Sequence, residues 1–545
     1  MLGRLCFVLC AANLFLSTSY AAECKPLAVS LPFKSNVLAN RAEARGVQFQ
    51  IGSPNAQTIA LLPSATYNDT YMYGKNGFCP ANVTVEECFT YRGGLYDSAQ
   101  SESKKAGASI KHIWDDATAN WTTDNVVLRD GANRDIELPQ LEFGVRVSTA
   151  HQFVNKGELG LGLNSTLLGA LASGQRIASK TYSFFWGTDI AISDEPRDGS
   201  LTLGGYDQAL VGDAPNTTTT FTRSQWRCRE GMIVDLTGLS LQSVGAGTQN
   251  IMEASEKMQA CVVPTLSSVL TLPVQYWDKM AEMMGVERSP FNNGSSGELF
   301  YRVTSVKPES ATFNGNLSIR INDAITVTIP NKQLIFDEPY IASNGLIKRN
   351  PDWKNIPIVR YNDLDQNMPR LGGMFLSSAY LMVNHDKNEF TISQVQEKPA
   401  AQKLMSIDTA NGCVAAVESG SSASPETPGS SSRPRDSSGL SVGAIAGIVV
   451  GIVVVIGIIA GTAVLIRRRR KVGAASKSTE LEAAHMRMPI AEKHGYSTTE
   501  MPAVMPPGEF EGDARDYAIE LDGSSRPSEV PAHGGDTERL MSSRR

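Results

Sequence analysis

The chain has 545 residues, a formal net charge of −6 at neutral pH, and 41% hydrophobic against 19% charged residues. This length leaves room for several domains, and the mild acidic balance gives no support for nucleic-acid binding. With six histidines, no CxxC pair and no P-loop, the sequence favours neither a metal site nor a nucleotide cofactor.

Residues 1–21 predict a secretory signal peptide. Arg4 provides a positive start, Leu5–Leu16 is an apolar run, and Ser19-Tyr20-Ala21 places small residues before a cleavage point after Ala21. A buried N-terminal helix is the alternative interpretation. The mature start that follows is acidic and contains a cysteine, which favours the signal peptide.

Residues 22–413 carry the strand-like patterns and predict a mainly β extracellular domain. Short apolar or alternating runs, bounded by turn residues, indicate strands at Val47–Ile51, Thr58–Leu62, Ser183–Trp186, Ser200–Leu203, Leu317–Ile321 and Ile325–Ile329. One helix is predicted from Pro273 to Met284, with Gly285 as its stop. So few helices in a region of this size favour two β lobes, at about residues 40–205 and about residues 206–400.

Six cysteines remain after signal cleavage, and all of them precede the predicted membrane span. This distribution suits an oxidising compartment and three disulfides, although six cysteines allow about 15 pairings. Proximity favours Cys79–Cys88, whereas Cys228–Cys261 and Cys24–Cys413 are weaker predictions. Seven sequons in the same region predict N-linked glycosylation at Asn68, Asn82, Asn120, Asn164, Asn216, Asn293 and Asn316.

Three segments follow this domain. Residues 414–438 contain nine serines and three prolines and predict an extended stalk. Residues 439–466 carry no charge, are long enough to cross a bilayer, and are followed directly by five cations. The pattern predicts a single-pass membrane protein with an extracellular N-terminal domain and a disordered cytoplasmic tail at 467–545. Gly443, Gly447 and Gly451 lie four residues apart, which would allow a homodimer through the span, although glycine is common in such spans in any case.

Two segments of the extracellular domain share one pattern, an apolar strand followed by proline and hydroxyl residues: Leu61-Leu62-Pro63-Ser64-Ala65-Thr66 and Val262-Val263-Pro264-Thr265-Leu266-Ser267. Together with their flanking motifs, they resemble the pepsin-like aspartic proteases. The flanking motifs follow the family's order, with Ile51–Gln57 resembling IGTPxQ, Gly157–Gly162 resembling DGILGLG, Gly199–Gly205 resembling GxLxFGG, and Leu371–Leu376 resembling ILGDxFL. The resemblance spans residues 45–395.

This resemblance implies a bilobal β fold in which each lobe supplies one catalytic aspartate at the end of an apolar strand. Those two positions hold Pro63 and Pro264, and proline has no group that can accept or donate a proton. The adjacent hydroxyls are retained as Ser64 and Thr265, and in the family they bond across the lobe interface. The resemblance therefore implies the family's structure without its acid–base chemistry.

Other positions depart from the family in the same direction. Ala65 and Leu266 replace the glycines that let the backbone approach the family's carboxylates, and His112–Asp116 stands roughly where the flap motif YGTG is expected. Two pairs of neighbouring acids could in principle substitute for the missing aspartates, but we interpret both as solvated loop charges: Asp115 with Asp116, and Asp363 with Asp365.

Together these observations predict a non-enzymatic cell-surface glycoprotein of a type similar to fungal surface proteins. It would bind a peptide or glycan ligand, or act as a surface sensor. One alternative is an active membrane-anchored aspartic endopeptidase that uses an atypical acid pair. Another is a structural cell-wall glycoprotein without a specific ligand.

Overall fold

The structure is a computed structural model that describes residues 24–76, 79, 83–107, 119–146, 156–189, 191–222, 227–245, 247–265, 269–286, 303–361, 368–396, 399 and 401–418. They all belong to one compact unit, residues 1–421. The predicted signal peptide, span, tail and glycine motif of Gly443, Gly447 and Gly451 lie outside the described residues, as does nearly all of the predicted stalk. Among the described residues, none of the helices combines the length and the hydropathy that a membrane span requires.

The unit is mainly β. Its first strands are β1 (Val29–Val37), β2 (Glu43–Ile51), β3 (Gln57–Ser64), β4 (Tyr71–Tyr73), β5 (Lys105–Ala106), β6 (Ala119–Arg129), β7 (Asp135–Arg146), β8 (Gly157–Gly160), β9 (Thr181–Phe185), β10 (Gly199–Leu203), β11 (Gly205–Asp207), β12 (Asn216–Thr220) and β13 (Ile233–Ser243). The remaining strands are β14 (Gly247–Asn250), β15 (Met258–Val262), β16 (Leu270–Pro273), β17 (Thr304–Val306), β18 (Gly315–Ile321), β19 (Ile325–Ile329), β20 (Phe336–Ile341), β21 (Ile347–Ile356), β22 (Ile358–Tyr361), β23 (Arg370–Leu371), β24 (Ala379–Asn384), β25 (Glu389–Gln394), β26 (Leu404–Asp408) and β27 (Cys413–Ala416).

The helices are short. They are α1 (Val85–Tyr91), α2 (Thr166–Ser173), α3 (Gln208–Val211), α4 (Val274–Met283), α5 (Asn331–Leu334) and α6 (Gly373–Leu376), with 3₁₀ turns at Ser98–Gln100 and Pro308–Ser310. The predicted helix is confirmed as α4, which begins after Pro273 and ends just before Gly285, at φ +68°. Its Trp277, Met280 and Ala281 are buried, and the Trp277 indole donates a hydrogen bond to the Ile358 carbonyl at 3.1 Å.

The predicted strands are also confirmed, because their apolar side chains face the core. In β19 the sequence Ile325-Thr326-Val327-Thr328-Ile329 buries its three aliphatic residues and directs the threonines outward, as period-two alternation requires. The sequence analysis missed β1, which the structure places between β2 and β10. It also ended the domain at Cys413, whereas β27 continues to Ala416 because it pairs with β26. The predicted stalk therefore starts too early.

Each lobe contains the same strand arrangement. In the first lobe β8 lies between β3, to which it is parallel, and β4, to which it is antiparallel, and β4 is in turn parallel to β7. In the second lobe β23 lies between β15, to which it is parallel, and β16, to which it is antiparallel, and β16 is in turn parallel to β22. The sequence repeat around Pro63 and Pro264 is therefore a structural repeat.

A shared antiparallel sheet joins the lobes, in the order β12-β25-β24-β9-β10-β1. It continues through β2 into the first lobe, whereas the strands around Pro264 belong to a separate eight-stranded sheet. Phe33 of β1 packs against Phe184 and Trp186, with ring centroids 5.1 and 4.9 Å apart. These rings belong to one apolar core cluster that also includes buried residues of both lobes, such as Leu61 and Val262.

Three disulfides are present, Cys24–Cys413, Cys79–Cys88 and Cys228–Cys261, and they are the pairs that the sequence analysis favoured. The first ties the start of the unit to β27, across 389 residues of chain. The second links α1 to the segment before it. The third links β15 to the segment that precedes β13. Two groups with metal-ligand composition contain these cysteines, Cys24 with Asp408 and Cys413, and Cys228 with Glu230 and Cys261. Because every cysteine in them is disulfide-bonded, neither group offers a free thiolate.

Candidate functional site

The two prolines occupy equivalent places in the structural repeat. Pro63 is the next-to-last residue of β3, is buried, and lies opposite Leu159 of β8. Pro264 is also buried and follows β15 by two residues, after Val263, which donates its N–H to the Leu371 carbonyl at 3.1 Å. Each proline therefore lies at the end of a strand, β3 or β15, that runs beside a parallel neighbour, β8 or β23.

The residues that follow the prolines differ in exposure. Ser64 is fully buried, whereas Ala65 and Thr265 are half-buried. The Ser64 Oγ makes no hydrogen bond of normal geometry, although it lies close enough to the Glu158 carboxylate to offset part of the rise in the pKa of that group. The Ser64 hydroxyl thus faces a carboxylate of its own lobe, and the bond across the lobe interface that the family resemblance implied for it is not formed.

Glu158 is a buried acid that the sequence analysis did not single out. It lies on β8, directly opposite Leu62 and one residue away from the pairing of Pro63. Its Oε2 is 3.0 Å from Arg146 Nη2, and both side chains are almost completely inaccessible. Burial raises the pKa of the Glu158 carboxyl, and the Arg146 guanidinium opposes that rise. Burial is the largest single effect on Arg146 and disfavours its charge, but Glu158 together with Tyr73 and Tyr67 more than offsets it, and the pKa of the guanidinium is raised.

Aromatic rings surround Arg146. Its guanidinium carbon lies 4.9 Å from the centroid of Tyr71 and 5.8 Å from the centroids of Tyr67 and Tyr73. Tyr71 also contacts the rings of Tyr67 and Trp121, at 5.2 and 5.7 Å. Faces of aromatic rings attract a desolvated cation. The surroundings therefore hold Arg146 in its charged form, against Glu158.

A second glutamate, Glu230 of the second lobe, contacts the loop that follows Pro63, which we call the first loop. Glu230 Oε1 accepts a hydrogen bond from Thr66 Oγ1 at 2.8 Å, across the boundary between the lobes. Its other oxygen lies 3.2 Å from Cys261 Sγ, at the disulfide that precedes Pro264. The negative charge of Glu230 also contributes to the raised pKa of Glu158. At this loop, the polar contact with the second lobe is thus made through Thr66, not through Ser64.

Among the residues that the structure describes, the site therefore contains no carboxylate pair held on the two strand ends. Of the two glutamates described above, Glu158 is paired with Arg146 and Glu230 accepts a hydrogen bond from Thr66. Catalysis by the family's mechanism requires two carboxyl groups that share a proton, with their pKa values pushed apart by their mutual repulsion. The charge of Arg146 works against such sharing at Glu158.

One signal in the sequence could have identified Glu158. Gly157–Gly162 resembles the family motif DGILGLG, and Glu158 stands where that motif has an apolar isoleucine. A charged residue on a strand that is otherwise buried needs a partner inside the protein.

Other predicted positions lie outside the described residues, namely Leu266, the flap region His112–Asp116, the acid pairs Asp115 with Asp116 and Asp363 with Asp365, and the sequons Asn82 and Asn293.

The described sequons differ in their accessibility. Asn120, Asn164 and Asn216 are exposed, whereas Asn68 and Asn316 are half-buried. The side-chain oxygen of Asn68 accepts a hydrogen bond from the Asn164 N–H at 2.9 Å, and that of Asn316 accepts one from the Asn331 N–H at 3.2 Å. The side chains of these two asparagines therefore accept hydrogen bonds from neighbouring backbone N–H groups.

Comparison with known protein families gives a match. A search of curated proteins found no protein that matches the chain. The family model of the eukaryotic aspartyl proteases matches residues 49–395, which nearly coincide with the range deduced from the ordered motifs. Because this match covers well over half of the chain, the protein belongs to the eukaryotic aspartyl protease family.

Proposed function

We propose that this protein is a catalytically inactive aspartyl protease that is anchored in the cell membrane and binds an extracellular peptide or glycan. The observation that carries the proposal is the placement of Pro63 and Pro264 at the equivalent strand ends of the two lobes. Proline offers neither a titratable group nor an N–H donor. An aspartyl protease in which both catalytic acids are missing has lost its general acid and its general base.

The Arg146–Glu158 pair supports this reading. A buried carboxylate beside the first proline could serve as a replacement acid only if it could exchange a proton with substrate or water. Glu158 is instead fully buried against a guanidinium at 3.0 Å. Removing a charge from such a pair leaves the other charge uncompensated, so proton transfer at Glu158 is unfavourable.

The surface location rests on the sequence. The signal peptide at 1–21, the apolar segment 439–466 and the cations after it support a single-pass orientation with the folded unit outside the cell. The three disulfides suit the oxidising compartment that this orientation requires. The glycine motif in the apolar segment supports a homodimer through the membrane.

Inactivity is tested with the full-length chain, produced in a eukaryotic host and purified in mild detergent. It is incubated with acid-denatured protein substrates between about pH 3 and about pH 6, beside an active pepsin-like protease. We expect no cleavage above the level of a substrate-only control. Cleavage that pepstatin blocks would reject the proposal.

A second candidate function has one observation in its favour. Glu158 and Glu230 approach the first loop from different lobes and interact electrostatically, which could make them an atypical acid pair of an active endopeptidase. The same assay separates the two functions. If the wild type cleaves substrate and both Glu158→Gln and Glu230→Gln abolish cleavage, this second function replaces the first.

Ligand binding is tested on peptide and glycan arrays, with the full-length chain as the probe. Ala65 is half-buried two residues after the first proline, so Ala65→Arg would place a long charged side chain next to that strand end. Val244→Arg is the matched control, because Val244 is 79% exposed on the turn between β13 and β14. We expect saturable binding that Ala65→Arg weakens and Val244→Arg preserves. Absence of saturable binding to either array would favour a structural glycoprotein.

A further inference from the structure

The sheet that joins the lobes ends at β12 (Asn216–Thr220). Within the described residues β12 pairs with β25 alone, and it is the last strand in the order of that sheet. All five of its residues take part in the pairing, from Asn216 opposite Ser393 to Thr220 opposite Glu389. The outer edge of such a strand presents backbone N–H and C=O groups that can pair with a strand of another molecule.

The amino-acid sequence of β12 lacks the usual protection of an edge. The strand consists of one asparagine and four threonines, with no charged residue, and a proline occurs only before it, at Pro215. Threonine is β-branched and favours extended structure. Edge strands are normally protected by charges, internal prolines, bulges or a covering element. By its side chains alone, β12 would be prone to pair with a second copy of itself.

One face of β12 is covered and the other is open. Asn322 Nδ2 donates hydrogen bonds to Thr217 Oγ1 and Thr219 Oγ1, both at 3.2 Å, so these side chains lie against the turn between β18 and β19. Asn216, Thr218 and Thr220 are exposed on the opposite face. Asn216-Thr217-Thr218 is a sequon, and its asparagine therefore lies on the open face of the edge strand itself.

We propose that Asn216 carries an N-linked glycan whose role is to keep the edge at β12 from pairing with β12 of a second copy. In an antiparallel pairing centred on Thr218, Asn216 of one copy would face Thr220 of the other. A bulky, hydrated glycan at Asn216 would then lie against the incoming strand at both ends of the pairing. The inference requires secretion, as in the proposed function, but it is independent of catalytic inactivity and of any ligand.

The experiment uses the full-length chain from a glycosylating eukaryotic host, purified in mild detergent. Mass spectrometry of glycopeptides should show that Asn216 is occupied. Asn216→Gln and, separately, Thr218→Ala remove the sequon, and both should raise the oligomeric fraction in size-exclusion chromatography with light scattering by about fivefold or more. Asn164→Gln is the matched control, because it removes an exposed sequon outside β12 and should leave the elution profile as in the wild type.

A charge on the edge should replace the glycan. Thr220→Lys in the Asn216→Gln background places a cation on β12 opposite Glu389, where a cross-strand ion pair favours the native pairing, and it should restore the wild-type profile. If Asn216→Gln does not fold, endoglycosidase treatment of the folded wild type tests the same point and should produce the same oligomers. An unoccupied Asn216, or an unchanged profile after deglycosylation, would overturn the proposal.

Discussion

Substitution of Arg146 by methionine tests the energetic role of the buried ion pair. The pair joins Arg146 Nη2 to Glu158 Oε2 at 3.0 Å, with side-chain exposures of 1% and 6%. Methionine retains much of the apolar volume but leaves a buried carboxylate without its cation. Loss of one partner of a buried pair costs about 3 to 5 kcal/mol. We expect Arg146→Met to lower the free energy of unfolding by that amount at neutral pH, measured by urea denaturation.

The pH dependence of this loss follows from the pKa of Glu158. Burial already raises that pKa above its unfolded value of about 4.3, and removal of Arg146 would raise it further. Where the pKa is raised in the folded state, that state holds more protons than the unfolded chain, so stability falls as pH rises. The deficit of Arg146→Met relative to wild type should therefore be small near pH 4 and grow toward pH 7.

The matched variants are Glu158→Gln and the double variant Arg146→Met with Glu158→Leu. Because well-packed apolar residues can replace a buried ion pair without loss, the double variant should be more stable than Arg146→Met alone. A double-mutant cycle gives the coupling energy between the two positions. If Arg146→Met is as stable as wild type, or if its deficit does not change with pH, then Glu158 does not depend on Arg146.

Three further predictions concern the rest of the unit. Thr66→Ala removes the 2.8 Å hydrogen bond to Glu230 and should cost about 1 kcal/mol in urea denaturation, while Thr220→Ala on the exposed edge should cost less. Replacing both cysteines of Cys24–Cys413 by serine should destabilise the protein by at least about 5 kcal/mol, and the same change at Cys79–Cys88 by about 3 kcal/mol. The difference is expected because the cysteines are 389 positions apart in the first pair and 9 in the second, and a longer loop loses more chain entropy when it is closed. Equal losses of stability would contradict this reasoning. Burial lowers the pKa of Lys156 to about 8. Above that pH the unfolded chain therefore binds more protons than the folded protein, and the free energy of unfolding should rise from about pH 8 to about pH 10. Lys156→Met should abolish this rise, and an identical rise in the variant would refute the assignment.

Local patterns predicted much of the fold, because they depend on residues that are close in the chain. Alternation in β18 and β19 and the proline and glycine around α4 each determine an element within about 12 residues. The repeat around Pro63 and Pro264, with its flanking motifs, indicated the family whose model matches 49–395. That the two prolines stand in place of catalytic aspartates stays a prediction, which the cleavage assay tests.

The contacts at the site depend on pairings between distant residues, which no periodicity specifies. Thr66 and Glu230 are 164 positions apart, yet the meeting of the lobes brings them within hydrogen-bonding distance. Arg146 and Glu158 lie on strands separated by β4, so only the order of the sheet makes them neighbours. The sequence by itself determined several of the strands and where the two lobes carry proline, since alternation and motif order are local. The tertiary structure alone decided which charges are buried together and which strand is left at an edge, because both follow from how the strands are ordered in space.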